Sequence, residues 1–120
     1  MNYTLKEIKS CSATAENPDA LSGQGGKTNN GRKGCPCVEP LAAGVTKTLL
    51  HKFGSGTIRK IWCTIPPEHP EHLRNLILRM YWDGQEIPSV EVPLGDFFGI
   101  AHGRQKNMVT PYVGMQDAKG

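Results

Sequence analysis

The residues best equipped for chemistry gather between Arg74 and Gly99. They fall in the runs Arg74-Asn75-Leu76-Ile77-Leu78-Arg79-Met80-Tyr81-Trp82-Asp83-Gly84 and Pro88-Ser89-Val90-Glu91-Val92-Pro93-Leu94-Gly95-Asp96-Phe97-Phe98-Gly99. Four carboxylates, Asp83, Glu86, Glu91 and Asp96, lie close in sequence to the aromatic pair Tyr81 and Trp82. Acidic and aromatic side chains crowded where a strand ends make this stretch a candidate site. The cysteines offer a second kind of chemistry. Cys35-Pro36-Cys37 sets two thiols close together with a stiff proline between them, which invites a metal or redox reading. A single intervening residue is short for structural zinc, where about two to four are usual, and no second ligand pair follows at a workable spacing. Cys11, Cys35, Cys37 and Cys63 therefore read as free thiols in a reducing compartment, with Cys63 packed in a strand. His69 and His72 sit three apart on a Pro-flanked turn, weak evidence for a metal, and His51 shows no ligand spacing. No metal and no cofactor are expected.

Strands must position these side chains. Leu76, Leu78, Met80 and Trp82 alternate with Ile77, Arg79, Tyr81 and Asp83 at the period of two that marks a strand. Asp83-Gly84 is a turn dipeptide, read as a tight connection in which Asp83 caps the turn. Val90, Val92 and Leu94 then share one face while Glu91 points away, and Gly95-Asp96-Phe97-Phe98-Gly99 closes the pair as a corner. Upstream, residues 45–53 and Thr57–Ile65 are predicted strands, separated by the Gly54-Ser55-Gly56 turn and stopped by Pro66-Pro67. A helical turn is expected within residues 68–73 and one short strand near 108–113. Residues 13–40 are rich in Gly, Asn, Ser, Pro and Lys. They read either as a disordered linker or as a long ordered loop lying over a site.

Composition bounds the class. A chain of 120 residues is one domain at most. Fourteen Gly, nine Pro and 38% hydrophobic residues favour a turn-rich β protein over a helical one. A net charge of +3 with scattered Lys and Arg leaves no electrostatic footprint for nucleic acid. No apolar run approaches the roughly 18 residues of a membrane span. Residues 1–10 carry charges where a signal peptide would need an apolar segment, so the chain as written is expected in the cytoplasm. The expected fold class is all-β: an antiparallel β-sandwich, part of a jelly roll, with long Gly-rich loops.

The combination of segments is specific. Glu16-Asn17-Pro18, the Gly-rich run to Gly31-Arg32-Lys33-Gly34, Leu41 through Leu50, Gly56-Thr57-Ile58-Arg59-Lys60-Ile61-Trp62, Leu78 through Gly84 and Pro88 through Gly99 follow one another in order. Together they resemble the N-terminal part of a family first catalogued as a domain of unknown function. That family was later assigned to glycoside hydrolases acting on α-D-arabinofuranosides and α-D-fructofuranosides. The resemblance runs from about Glu16 to Gly103. It implies a double jelly roll assembled in trimers or their multiples, with active sites near subunit boundaries and retaining hydrolysis by two glutamates. Members are several times longer than this chain, and the resemblance places both catalytic glutamates in their later portion. The expectation is thus an incomplete N-terminal jelly-roll domain over residues 1–120, with a loop at 13–40, a β core at 41–103 and a loop with a partial strand at 104–120. Such a fragment is expected to be inactive by itself and to fold poorly without partner chains.

Weighed residue by residue, Glu91 reads as part of a solvated sheet face, and no residue here is chosen as nucleophile. Asp96 is placed where it could bind backbone amides or a sugar hydroxyl. Trp82 and Tyr81 could stack on a furanose ring, although alternation puts Trp82 with the core. His102 follows the corner as a possible donor to substrate. Glu16, Asn17 and Arg32 are candidates to line a furanoside pocket from the loop above it. The implied partners are a furanose-containing oligo- or polysaccharide and further copies of the chain. A non-catalytic carbohydrate-binding or assembly module is the alternative function, and a purely structural jelly roll a third.

Overall fold

The computed structural model describes residues 7–31, 37–38, 40–65, 71–104 and 106–116. The chain divides into two compact units, Met1–Arg59 and Lys60–Gly120. Each is organised by its own interactions.

In the second unit the order is α1 (His72–Asn75), β1 (Ile77–Met80), β2 (Val90–Pro93), α2 (Leu94–Phe97), β3 (Met108–Val109) and β4 (Gly114–Met115). β1 and β2 pair antiparallel, with Leu78 opposite Val92 and Met80 opposite Val90. These four share the half-buried face, whereas Arg79 and Glu91, directly opposite each other, are exposed. The predicted alternation is therefore present, and the cross-strand ion pair from Arg79 Nε to Glu91 Oε2 at 2.6 Å occupies the outer face. β3 and β4 form a second, smaller antiparallel pair, where one strand was expected. The described elements are small antiparallel strand pairs with few and short helices, a mainly β arrangement.

The corner after β2 is a helical turn, not an extended bend. Phe98 N–H donates to Leu94 O at 3.3 Å and Gly95 O at 3.1 Å, and Ile100 N–H donates to Gly95 O at 2.7 Å. Leu94 N–H returns to Leu76 O at 2.8 Å, so the sheet ladder continues to the residue that ends α1. Here the chain packs most closely. Leu73 and Ile100 are 3% and 6% exposed, and they close on Gly95. A Cβ on Gly95 would meet Leu73 Cβ and Leu73 O at 2.9 Å and Ile100 O at 3.2 Å. Only glycine fits, because two of those three obstacles are backbone. Arg74, one residue beyond Leu73, fastens the same place from outside: its guanidinium pairs with both oxygens of Asp96, at 2.5 Å to Oδ2, and donates to Ala101 O at 3.3 Å.

Several expectations differ from the structure. Residues 45–53 and Thr57–Ile65 lie in no strand. Their β-branched and aromatic residues favour a pleated surface only when a neighbour supplies the ladder and covers one face. No such neighbour is present among the described residues, and Phe53 and Trp62 stay 85% and 77% exposed. Cys63, expected inside that second strand, is accordingly exposed and outside any strand. The β1–β2 connection is not tight but runs over residues 81–89, with the Asp83-Gly84 turn inside it. The expected turn within 68–73 falls partly outside the described residues; its visible part is α1. Cys35 and His69 also lie outside them.

Gly95→Ala is expected to destabilise the second unit by about 1–3 kcal/mol through forced backbone displacement. Urea unfolding followed by circular dichroism reads this as a lowered midpoint; an unchanged midpoint would contradict the close approach.

Candidate functional site

The Gly-rich stretch of the first unit is built around Glu16 and Asn17. Thr14 and Asn17 form an isolated antiparallel bridge, with Asn17 N–H donating to Thr14 O at 3.0 Å and Thr14 N–H to Asn17 O at 3.3 Å. The Asn17 side chain, only 5% exposed as a residue, clamps the following turn: Nδ2 donates to Leu21 O and Oδ1 accepts from Leu21 N–H, both at 3.0 Å. Glu16 reaches across ten residues to the Gly26-Lys27-Thr28 backbone. Its Oε1 accepts from Gly26 N–H and from Lys27 N–H at 3.2 Å; its Oε2 accepts from Thr28 N–H at 2.8 Å and from the Thr28 hydroxyl. Successive amides converging on one anion form a nest. A carboxylate has about four acceptor sites, and here four donors fill them. The Thr28 hydroxyl, foremost, and the three amides hold the Glu16 carboxyl below its usual range, against an opposing effect of desolvation. Asn29 and Asn30 follow at φ of 52° and 55°, a left-handed conformation that asparagine tolerates better than most residues.

Two of the four carboxylates between Arg74 and Gly99, Asp96 and Glu91, are also engaged. Asp96 is held by Arg74, and Glu91 by Arg79, whose guanidinium is pushed further up by that hydrogen bond. Asp19 Oδ1 meets His51 Nδ1 at 2.9 Å, an exposed contact that ties residue 51 back to the Pro18-Asp19 turn. His51 N–H also donates to Pro18 O at 2.9 Å, and Lys52 Nζ to Asp19 O at 3.0 Å. Asp96 and Glu91 would have to leave their arginines before meeting a sugar. His102 is exposed and Arg32 lies outside the described residues. Among the described residues no group of three or more His, Cys, Asp or Glu side chains could hold a metal ion, and no helix is long and apolar enough to cross a membrane. Desolvation pushes the Cys63 thiol up, which works against thiolate chemistry there.

Trp82 stands differently. It is 43% exposed and Tyr81 is 48% exposed, both just beyond the last paired residue of β1. The alternation that put Trp82 in the core ends with the strand at Met80, so nothing forces its indole inward. Asp83 and Gly84 adopt φ of 52° and 72°, and Gln85 N–H donates to Trp82 O at 3.0 Å, closing a turn of the left-handed kind. The Ser89 hydroxyl donates to Gln85 Oε1 at 2.9 Å and Ser89 N–H to Met80 O at 2.8 Å. Sequence reasoning missed Gln85 and Ser89, whose four-residue spacing is the only trace of their bond. It also missed Thr28, which carries no mark in the sequence of its distant partner Glu16.

Comparison with known proteins places this hairpin in a family. Residues 38–120 match the family model described as GH172 domain-like. The chain belongs to this glycoside hydrolase family. Its GH172 region takes in both strand pairs, the corner and the 81–89 loop, and begins downstream of the Glu16–Thr28 nest. No curated protein matches the chain, and no solved structure does.

The nest generates a pH prediction. Glu16 has a folded-state pKa below the usual 4.5, so its contribution is complete above about pH 4.5 and is lost as pH falls through the lowered value. The protection factors of the Gly26 and Thr28 amides, taken against intrinsic exchange at each pH, are expected to fall on acidification below that range. In Glu16→Gln the same amides are expected to be weakly protected at every pH. An acid-insensitive pattern in the unaltered chain would remove the nest.

Proposed function

We propose that this GH172 chain is part of a furanosidase-type retaining glycoside hydrolase, acting on α-D-arabinofuranosides or α-D-fructofuranosides. It contributes structure and substrate contacts, and the catalytic glutamate pair lies outside these 120 residues. The family match over residues 38–120 carries this reading. A retaining mechanism needs two carboxyl groups about 5 Å apart, one ionised and one protonated. Glu91 and Asp96 are instead each paired with an arginine, and Glu16 is surrounded by amides. In the same proposal residues 1–120 are a jelly-roll part, with the loop at 13–40, the β core at 41–103 and the remainder at 104–120. It assembles as a trimer-based homo-oligomer, in the cytoplasm. The exposed apolar residues Phe53, Ile58 and Trp62 support the addition of further strands beyond those described. Trp82, Asp96 and His102 of the second unit, and Glu16, Asn17 and Arg32 of the first, are each retained as candidate sugar contacts.

The purified 120-residue chain is expected to release no p-nitrophenol from p-nitrophenyl α-D-arabinofuranoside. Turnover that disappears in Glu91→Gln or Asp96→Asn would put the catalytic pair inside this chain and sink the proposal.

A further inference from the structure

The chain's one Asn-Gly pair, Asn30-Gly31, lies at the end of the loop that Glu16 closes. Asn-Gly is the dipeptide most prone to deamidation. The backbone nitrogen of the second residue attacks the side-chain carbonyl carbon of the first, and glycine has no side chain to hinder the approach. Both residues are exposed, so water reaches them. Attack requires the glycine nitrogen and the asparagine Cβ to stand on the same side of the Cα–C bond. Here they are held apart. Asn30 has φ of 55° and ψ of 34°, and at that ψ an L-residue carries the following nitrogen nearly opposite its own Cβ. Gly31 continues left-handed at φ of 75°, packed so closely that an added Cβ would stand 3.0 Å from Gly26 O. Gly26 and Thr28 are in turn the first and last residues that bind the Glu16 carboxylate. The backbone of Asn30 is thus bracketed between Thr28 on the nest and Gly31 against Gly26.

We propose that Asn30 is a deamidation site latched by the Glu16 nest, which sets the lifetime of the loop. When the nest opens, rotation about the Asn30 Cα–C bond brings the Gly31 nitrogen to Cγ. The N–Cγ bond forms, the Cγ–Nδ2 bond breaks, and ammonia leaves. The proton lost from the Gly31 nitrogen is made good on the departing NH2 by way of water. Water then opens the cyclic imide at either carbonyl, giving aspartate or isoaspartate at position 30. One water enters and one ammonia leaves, with no oxidation or reduction. The change is one-way. It sets a new carboxylate two residues from Thr28, whose amide and hydroxyl hold Glu16, and like charges repel. Isoaspartate also adds a carbon to the backbone of a turn that has no slack at Gly31. Modification therefore works against the nest that delayed it.

The test incubates the full chain at mildly alkaline pH and maps deamidation by peptide mass spectrometry, with the same chain in guanidinium chloride as the unlatched reference. Native Asn30 is expected to react at least about tenfold more slowly than the reference, because it reacts only through the open loop. Glu16→Gln is expected to bring the folded chain to within about threefold of the reference. The Leu21 amide, which Asn17 Oδ1 holds, is expected to stay protected from exchange in that variant, showing that the turn beside the nest persists. Thr28→Val removes only the hydroxyl donor and is expected to give a rate between the two; it decides the matter if Glu16→Gln also loses Leu21 protection. Asn30→Asp is expected to lower the protection of the Gly26 and Thr28 amides at neutral pH. Equal rates in the folded and unfolded chain overturn the latch, as does a native rate in Thr28→Val or in a Glu16→Gln chain that keeps Leu21 protected. Unaltered protection of Gly26 and Thr28 in Asn30→Asp overturns the action of the product on the nest.

Discussion

The second unit depends on one close approach, that of Gly95 to Leu73 and Ile100. Neither α1 nor α2 is long enough to be stable alone, since single helical turns are marginal in water. β1 and β2 are an isolated hairpin, which is marginal by itself. What makes them one unit is that the chain leaving β2 turns at Gly95 directly against the residue that begins the approach to β1. The backbone contact buries Leu73 and Ile100, and the Arg74–Asp96 pair seals it from the solvent side. Hydrophobic burial supplies the attraction there; the missing side chain supplies the room.

A second constraint runs through the carboxylates. A short chain with little buried volume has few places to hide a backbone amide, and side-chain oxygens take over part of that work. Glu16 satisfies three amides of a loop that has no ladder, and Asn17 serves the turn before it. Glu91 and Asp96 do the corresponding work for arginines on the sheet face and at the corner. Glu16, Glu91 and Asp96, whose type invites a catalytic reading, are thereby structural, and the two carboxylates between Arg74 and Gly99 without a bound donor among the described residues, Asp83 and Glu86, lie on the hairpin loop. That division of labour separates the carboxylates that hold the β scaffold from those left without a donor.

Much of the hairpin was legible in sequence because its signals are local. The Leu78–Met80 and Val90–Val92 alternation, the positive-φ turn at Asp83-Gly84 and the family relationship all follow from neighbouring residues. The corner was recognised as a corner but not as a helical turn, since its geometry comes from packing on Leu73. The misread strands at 45–53 and Thr57–Ile65 fail for the opposite reason: β-branched and aromatic residues record a preference that only a partner strand can realise. Site chemistry was hardest to read, because sequence shows which residues carry carboxylates but not which donors reach them. Thr28 and Arg74 are the donors that decide Glu16 and Asp96, and they lie 12 and 22 positions away.

The Glu16 nest also separates two kinds of tolerance to change. Its ring is closed by a single side chain at one end and three amides at the other, so the spacing between them is a matter of polymer statistics. Doubling a flexible loop raises its closure cost by only about 0.6 kcal/mol. Insertions after the Asn17 clamp, within residues 22–25, therefore disturb the ring little, while the identity of residue 16 has no substitute of equal reach and acceptor number except through a glutamate supplied from elsewhere. The first unit is in this sense indifferent to length and strict about one anion.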